Sequence, residues 1–318
     1  MPASSPLRFA FAVLLLLAST AHAQLFRTYL SGAGSDANPC TLQAPCRLLP
    51  AALAAVASGG EVWMVDSANF NTATVTIDRS VSILAVPGVI GSFIAQNGGP
   101  ALQITADGLT VALRNMSIGR VATAAAGTYG VLMTGDSSLT IEDSVIDRVP
   151  LGGVRVQGTG SLYLLNSTLR YANLPDYAVQ VLDGAEATII NVNIVNNGGG
   201  INVASSQASR TSRASVSDSL LSGCENSCVR ARTTVADAGA EVYVTRSTIE
   251  RSGNAGFGVR AESDNGGTAS VTISGNTISN HNTAWAISGA GSTIVSLGDN
   301  HIRELTTSFG TLTNVPLQ

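Results

Sequence analysis

An all-β solenoid of stacked parallel strands is the fold this sequence predicts, and three observations predict it. First, one short phrase is written eight times, at residues 111–118, 139–146, 162–169, 187–194, 214–221, 242–249, 271–278 and 295–302. Its first, third and eighth positions are apolar in every copy, 24 of 24, where a 45% hydrophobic composition gives about 11 by chance. Second, the third positions follow one another at 28, 23, 25, 27, 28, 29 and 24 residues. Loops absorb such variation, whereas a rigid helical repeat would not tolerate it. Third, the repeats are rich in Val, Ile, Thr, Ser, Asn and Gly and carry no long run with a 3.6-residue period, which argues against helices.

The elements follow from the phrase. Apolar residues at positions one and three point the same way from a strand, into a core. Four small polar residues then suit a bend, and the eighth position turns inward again. After a variable loop comes a second strand with its own alternation, at 131–133, 154–156, 179–181, 201–203, 229–231, 259–261 and around Ile287. One supersecondary unit per period, each stacked on the last, is best read as a right-handed parallel β-helix. Asn115, Asp143, Asn166, Asn191, Asp218 and Asp299 share one bend column. Ser144, Ser167, Ser219 and Ser247 share the next, with Asn276 and Asn300. Such columns are expected to form hydrogen-bonded ladders from coil to coil. The glycosylation sequons at Asn115 and Asn166 fall inside them and are read as ladder positions.

The chain before the repeats divides further. Residues 1–23 have the form of a secretory signal peptide: Arg8, an apolar segment, and Ala21-His-Ala23 before the cut. The apolar run is too short to span a bilayer, so no membrane span is expected. Residues 24–60 are read as a strand, a disulfide loop and a capping helix over 46–58 that Gly59-Gly60 ends. A solenoid needs a cover on its first coil, and this helix is well placed to be one. Residues 61–318 are read as the β-helix proper, making one elongated domain of 295 residues with the part before it. The four cysteines form two close pairs, Cys40 with Cys46 and Cys224 with Cys228. In an exported chain they predict disulfides rather than a metal site. Secretion or a periplasmic location is the expected destination.

The stretch Ser31-Gly-Ala-Gly-Ser-Asp-Ala-Asn-Pro-Cys40, then Ala44-Pro-Cys-Arg47, the Ala-rich segment and Gly59-Gly-Glu-Val62 resembles the start of exported bacterial right-handed β-helix proteins of the pectate-lyase-like superfamily. The resemblance implies polysaccharide as the substrate class to test, although that superfamily also holds adhesins and members without activity. Polygalacturonase-like motifs (Asn-x-Asp, Asp-Asp, Gly-His-Gly, Arg-x-Lys) are absent, and all 17 basic residues are arginine. Lyase-like chemistry would ask for Ca²⁺ on clustered carboxylates, and no tight acidic cluster stands out. No cofactor is otherwise expected, and no metal ligand set is proposed.

What the repeats do build is a polar stripe. Arg120, Asp147, Arg148, Arg170, Tyr171, Asn196, Glu250, Arg251, Asn280, His281, Arg303 and Glu304 follow the eighth position. Arg155, Gln180, Asn202, Arg230 and Arg260 face out from the second strand. Asp147, Arg148, Arg155, Arg170, Tyr171 and Gln180 are the candidate polysaccharide-binding residues, with Asp176 nearby. Arginine pairs with carboxylates or sulfates, and tyrosine stacks on sugar rings. The competing reading is an ordinary solvated face. Tyr129, Tyr177, Phe257 and Trp285 share parity with core positions and are expected to point inward. A net charge of −4 and the lack of any basic run argue against nucleic acid. The expected function is that of a monomeric β-helix binding a polysaccharide or cell-surface glycan, with lyase-like action on an acidic polysaccharide as its enzymatic form. The alternative is a non-catalytic structural or adhesive solenoid for a protein or cell surface.

Overall fold

Positions one and three of the phrase stack in register on one sheet. Leu113, Ile141, Leu164, Ile189, Val216, Val244 and Ile273 pair as parallel neighbours, one coil apart at each step. All seven lie in the apolar core. The computed structural model describes residues 24–120, 128–172, 176–253 and 256–315, with the backbone alone for 304–306; the leader read at 1–23 lies outside them. About ten such turns make a right-handed, single-domain β-solenoid with almost no helix.

Each coil leaves this first sheet through a one-residue left-handed bend. Asn115, Asp143, Asn166, Asn191 and Asp218 hold φ between 49° and 56°, and Arg246 and Gly275 continue the column. Asn and Asp bear that conformation at lower cost than other residues with a Cβ. The serine column follows and is the ladder the sequence predicted. Ser144 Oγ accepts from Met116 N–H at 3.0 Å, Ser167 Oγ from Ser144 N–H at 3.1 Å, and Ser247 Oγ from Ser219 N–H at 3.1 Å. Each hydroxyl donates in turn to the carbonyl two residues before it. Asn276 and Asn300 carry the same contact onward through their side-chain oxygens.

A short strand then carries the eighth position inward, as in Val145–Asp147, Thr168–Arg170 and Leu220–Ser222. A second left-handed residue and a variable loop lead to the last strand of the coil, as in Tyr129–Met133, Gly152–Gln157, Tyr177–Leu182, Gly199–Ser205, Ser227–Thr233 and Phe257–Ser263. Two disulfides hold Cys40 to Cys46 and Cys224 to Cys228, with Cα separations of 4.6 and 5.2 Å.

The structure departs from the sequence reading at both ends. The helix runs only over Leu49–Ala55, because β-branched Val56 is already extended (φ −82°, ψ 140°) and opens the strand Val56–Met64. That strand pairs with Leu25–Leu30 on one side and Val81–Ala85 on the other, so the first sheet begins near residue 25. In the last copy, Ile294 and Ser296, not Val295 and Leu297, face the core beside Val271 and Ile273. Gly298 takes the left-handed bend (φ 85°), and Asp299 is an extra residue before Asn300. Counting back from Ile302 therefore put the phrase one residue out of register. No helix among the described residues is long and apolar enough to cross a membrane.

Candidate functional site

The outward residues of the last strand form a column by pairing: Leu132, Arg155, Gln180, Asn202, Arg230, Arg260 and Ala286. Beside it runs a column that the parity argument misplaced. Tyr129 pairs with Gly152, Tyr177 with Gly199, and Ser227 with Phe257. The next position also faces the core. Ala178, Cys228 and Ala284 are buried there, and a Cβ on Gly130 would meet the Ile118 and Ile146 side chains. Two successive inward residues turn the corner from loop to strand and break the period of two. Tyr129 and Tyr177 therefore stay outside the core cluster, although they are only 9% and 4% exposed. Trp285 pairs with Val259, does pack on the core, and donates its indole N–H to the Gly310 carbonyl at 3.1 Å.

What covers the tyrosines is arginine. Arg155 donates to the Tyr129 hydroxyl at 2.8 Å, with its guanidinium 5.5 Å from the ring centre. Arg230 reaches the Tyr177 hydroxyl at 3.4 Å and stands 5.9 Å from that ring. Arg260 lies 4.5 Å from the centre of the Phe257 ring. The two tyrosine rings lean along the solenoid over a glycine of the next coil, Tyr129 over Gly152 and Tyr177 over Gly199, where a Cβ would collide with the Tyr177 ring. Those glycines, Gly152 and Gly199, are the sequence signal that could have located the aromatic column.

The six candidates divide into two groups. Asp147, Arg148, Arg170 and Tyr171 come together at the corner after the short strand. Asp147 lies 3.4 Å from Arg148 and 3.5 Å from Arg170, whose guanidiniums sit 5.7 and 5.8 Å from the Tyr171 ring centre. Tyr171 is 44% exposed beside these two cations. Arg148 and Tyr171 hold left-handed backbone (φ 56° and 60°) in a column whose other members include Asn196, Gly223 and Asn280. That conformation costs a bulky residue about 1 kcal/mol, so a functional reason is worth seeking.

Arg155 and Gln180 sit across the loop, on the last strand. Arg155 donates to Tyr129 and, at 2.9 Å, to Gln157 Oε1. Among the described residues its Nε is a buried donor without a hydrogen-bond partner, and Asn202 Oδ1, two coils on, is a buried acceptor without one. Gln180 is 7% exposed and donates to the Leu151 carbonyl at 2.9 Å, so it holds the loop as much as it faces solvent. Burial pushes the Asp176 carboxyl above the usual carboxylate range, while the positive charge of Arg155 pulls the other way. Farther along, Glu262 bridges Arg230 and Arg260 in a largely buried triad. His281 leaves the stripe altogether: it is 2% exposed and bonded to backbone on both ring nitrogens.

The fold defines a right-handed parallel β-helix. The chain belongs to the family described as the right handed beta helix region, whose model matches residues 129–304. A comparison with curated proteins returns no match. Among solved structures, the chain is similar to pectate lyase Pel9A, with a TM-score of 0.65, 15% identity, and coverage of 92% of this chain and 80% of that one. It is similar to the GH136 lacto-N-biosidase from Eubacterium ramulus (0.52, 11%, 91% and 67%) and to XylC in complex with xylose (0.50, 7%, 82% and 70%). At these identities the likeness is one of fold.

Proposed function

We propose that this protein is an exported β-helix that binds an acidic polysaccharide along the arginine–aromatic face. The observation that carries the reading is the pairing of guanidinium with aromatic ring at four places on one side of a chain with net charge −4. Aromatic surface supplies stacking, and arginine supplies charge-assisted, bidentate hydrogen bonds to carboxylate or sulfate. Tyr129 and Tyr177 lie two coils apart, about 9.6 Å at the usual strand spacing, with side-chain-free Gly152 between them. That spacing suits an extended glycan running parallel to the axis. Named carbohydrate-active neighbours support the ligand class, and two disulfides fit an oxidising compartment. The reading includes removal of the 1–23 leader, a monomer in solution, and a capping role for Leu49–Ala55, whose Leu49, Ala52 and Leu53 are buried.

The catalytic form of this proposal would use Asp176, whose carboxyl holds its proton more tightly than usual, beside Arg155 and Tyr129. Ca²⁺ would enter only with that form. The non-catalytic or adhesive reading is favoured by the closed Arg230–Glu262–Arg260 triad, in which one carboxylate occupies both guanidiniums at the far end of the face. A glycan array on the chain from Gln24, with and without Ca²⁺, separates them. Each bound glycan is then followed for new ultraviolet absorbance and new reducing ends. Binding of uronic or sulfated glycans that Arg148→Ala and Arg155→Ala abolish is the expected result. Binding to no glycan, or binding indifferent to both substitutions, overturns the proposal.

A further inference from the structure

At the end of the arginine–aromatic face, where the last strand of each coil turns back to the first sheet, lies a cavity of about 360 Å³ lined by Thr134, Gln157, Gly158, Asp183, Gln207 and Arg210. That is the low end of the range for small-molecule sites, enough for a single ring. Its lining carries no aromatic and no aliphatic side chain, so what it recognises must be hydrogen-bonding groups rather than an apolar face.

The lining is built, not merely polar. Asp183 is 9% exposed, and its carboxylate is fixed from two coils. Oδ1 accepts from Ser206 N–H at 2.8 Å and from Ser206 Oγ at 2.9 Å, and Oδ2 accepts from Gln157 Nε2 at 2.9 Å. Each carboxylate oxygen has acceptor capacity for more than those bonds. Gln157 Oε1 is held in turn by Arg155, so the cavity is tied to the column on the strand. Arg210, across the cavity, acts by its charge on the Asp136 carboxylate, and its side chain lies over Gly184. Gly158 and Gly184 hold φ of 95° and 107° there, and their missing Cβ atoms make room for the Asp136 carboxylate and the Arg210 side chain.

Asp183 and, beside Gly158, Asp136 set two carboxylates against the one Arg210 guanidinium, so the cavity does not favour an acidic ligand. Adjacent hydroxyls match them, donating to Asp183 and accepting from Arg210. We propose that this cavity is a subsite for one neutral pyranose, a branch or terminal sugar, distinct from the acidic chain assigned to the arginine face. It rests on the carbohydrate reading only for the class of ligand.

The test uses the chain from Gln24 labelled with ¹⁵N, with the Arg210 Nε–Hε signal assigned from its loss in Arg210→Ala. Methyl glycosides of glucose, galactose, mannose and N-acetylglucosamine are titrated in turn, and methyl galacturonide after them. At least one neutral glycoside is expected to shift the Arg210 signal and the Gln157 side-chain amide saturably. Arg210→Ala, read at Gln157, should weaken that binding about tenfold, the loss of a hydrogen bond to a charged group. Asp183→Asn tolerates the left-handed backbone of Asp183 (φ 56°) and should weaken it as well. No shift with any neutral glycoside overturns the proposal, as does a galacturonide that moves Arg210 in preference. Shifts that survive both substitutions also overturn it. Arg148→Ala tests the acidic-chain reading separately: it should abolish oligogalacturonate binding and leave the neutral titration unchanged.

Discussion

Arg148 and Tyr171 occupy a backbone conformation that Asn or Gly would adopt more cheaply, and that cost yields a prediction with two opposite signs. Tyr171→Asn should stabilise the fold by about 0.5–1 kcal/mol, seen as a higher denaturant midpoint, because Asn relieves the left-handed strain. The same substitution should weaken acidic-glycan binding, because it removes the exposed ring between Arg148 and Arg170. A variant that is stabilised and still binds fully would mean that the ring is incidental. His281 makes a second residue-scale prediction. Its Nδ1 accepts from Ser252 N–H and its Nε2–H donates to the Ile249 carbonyl, so the buried ring is neutral. Burial lowers its pKa below the ordinary 6.5, against opposing pulls from its bond to Ile249 and from the Glu250 charge. The unfolded chain then binds the extra proton first. Stability from this group is complete above about pH 6.5 and is lost as pH falls towards the folded value. Asn197, also one residue past a left-handed corner, satisfies the same kind of backbone groups without titrating. His281→Asn should therefore flatten the loss of stability between pH 7.5 and 5.5 in denaturant titrations. Equal slopes for the two proteins would exclude His281 as its source.

At the scale of the element, the serine ladder is the clearest case of a column doing one job. Ser219 Oγ accepts from the buried Val192 N–H at 3.1 Å and donates to the Ser217 carbonyl. Ser219→Ala should cost about 1–3 kcal/mol in denaturant titration, because it orphans an N–H that water does not reach. A cost near zero would mean that the corner relaxes to find another acceptor. This column was legible in the sequence because backbone pairing repeats its spacing in every coil. The features that escaped were those in which the period itself changes. The helix is shorter than its leucine pattern suggested, since Val56 already belongs to the sheet. One extra residue, Asp299, shifted the last phrase. The tyrosines were misread because Ala178 and Val179 both turn inward, which no alternation rule anticipates. Of the candidate site, the polar columns were readable as outward positions. The separation of Arg155 and Gln180 from the Asp147–Tyr171 corner depends on the path of the loop between strands, and loop paths leave no periodic trace. The cavity around Asp183 was invisible for the same reason.

For the molecule as a whole, a solenoid in which each coil touches chiefly its neighbours should accept the removal of a coil. Leu164 and Ile189 are equivalent core positions on adjacent coils, as are Leu165 and Ile190. Deleting residues 165–189 joins Leu164 to Ile190 and stacks the coil of Val154 and Val156 directly on that of Ile201 and Val203, apolar on apolar. The serine ladder is interrupted at this point whether or not the coil is present, because Val192 stands in its column. The shortened protein should fold with an unchanged β-sheet circular dichroism band per residue and a single cooperative transition. It loses Arg170, Tyr171, Asp176, Tyr177 and Gln180 together while keeping Arg155 on Tyr129 and the Arg230–Glu262–Arg260 triad. If the acidic glycan lies along the axis across several coils, its affinity should fall by far more than in any single variant. The remaining binding should also be less sensitive to salt, because fewer cations are engaged. Affinity and salt dependence equal to those of the intact chain would place the glycan elsewhere on the solenoid, and failure to fold would refute the nearest-neighbour account of its stability.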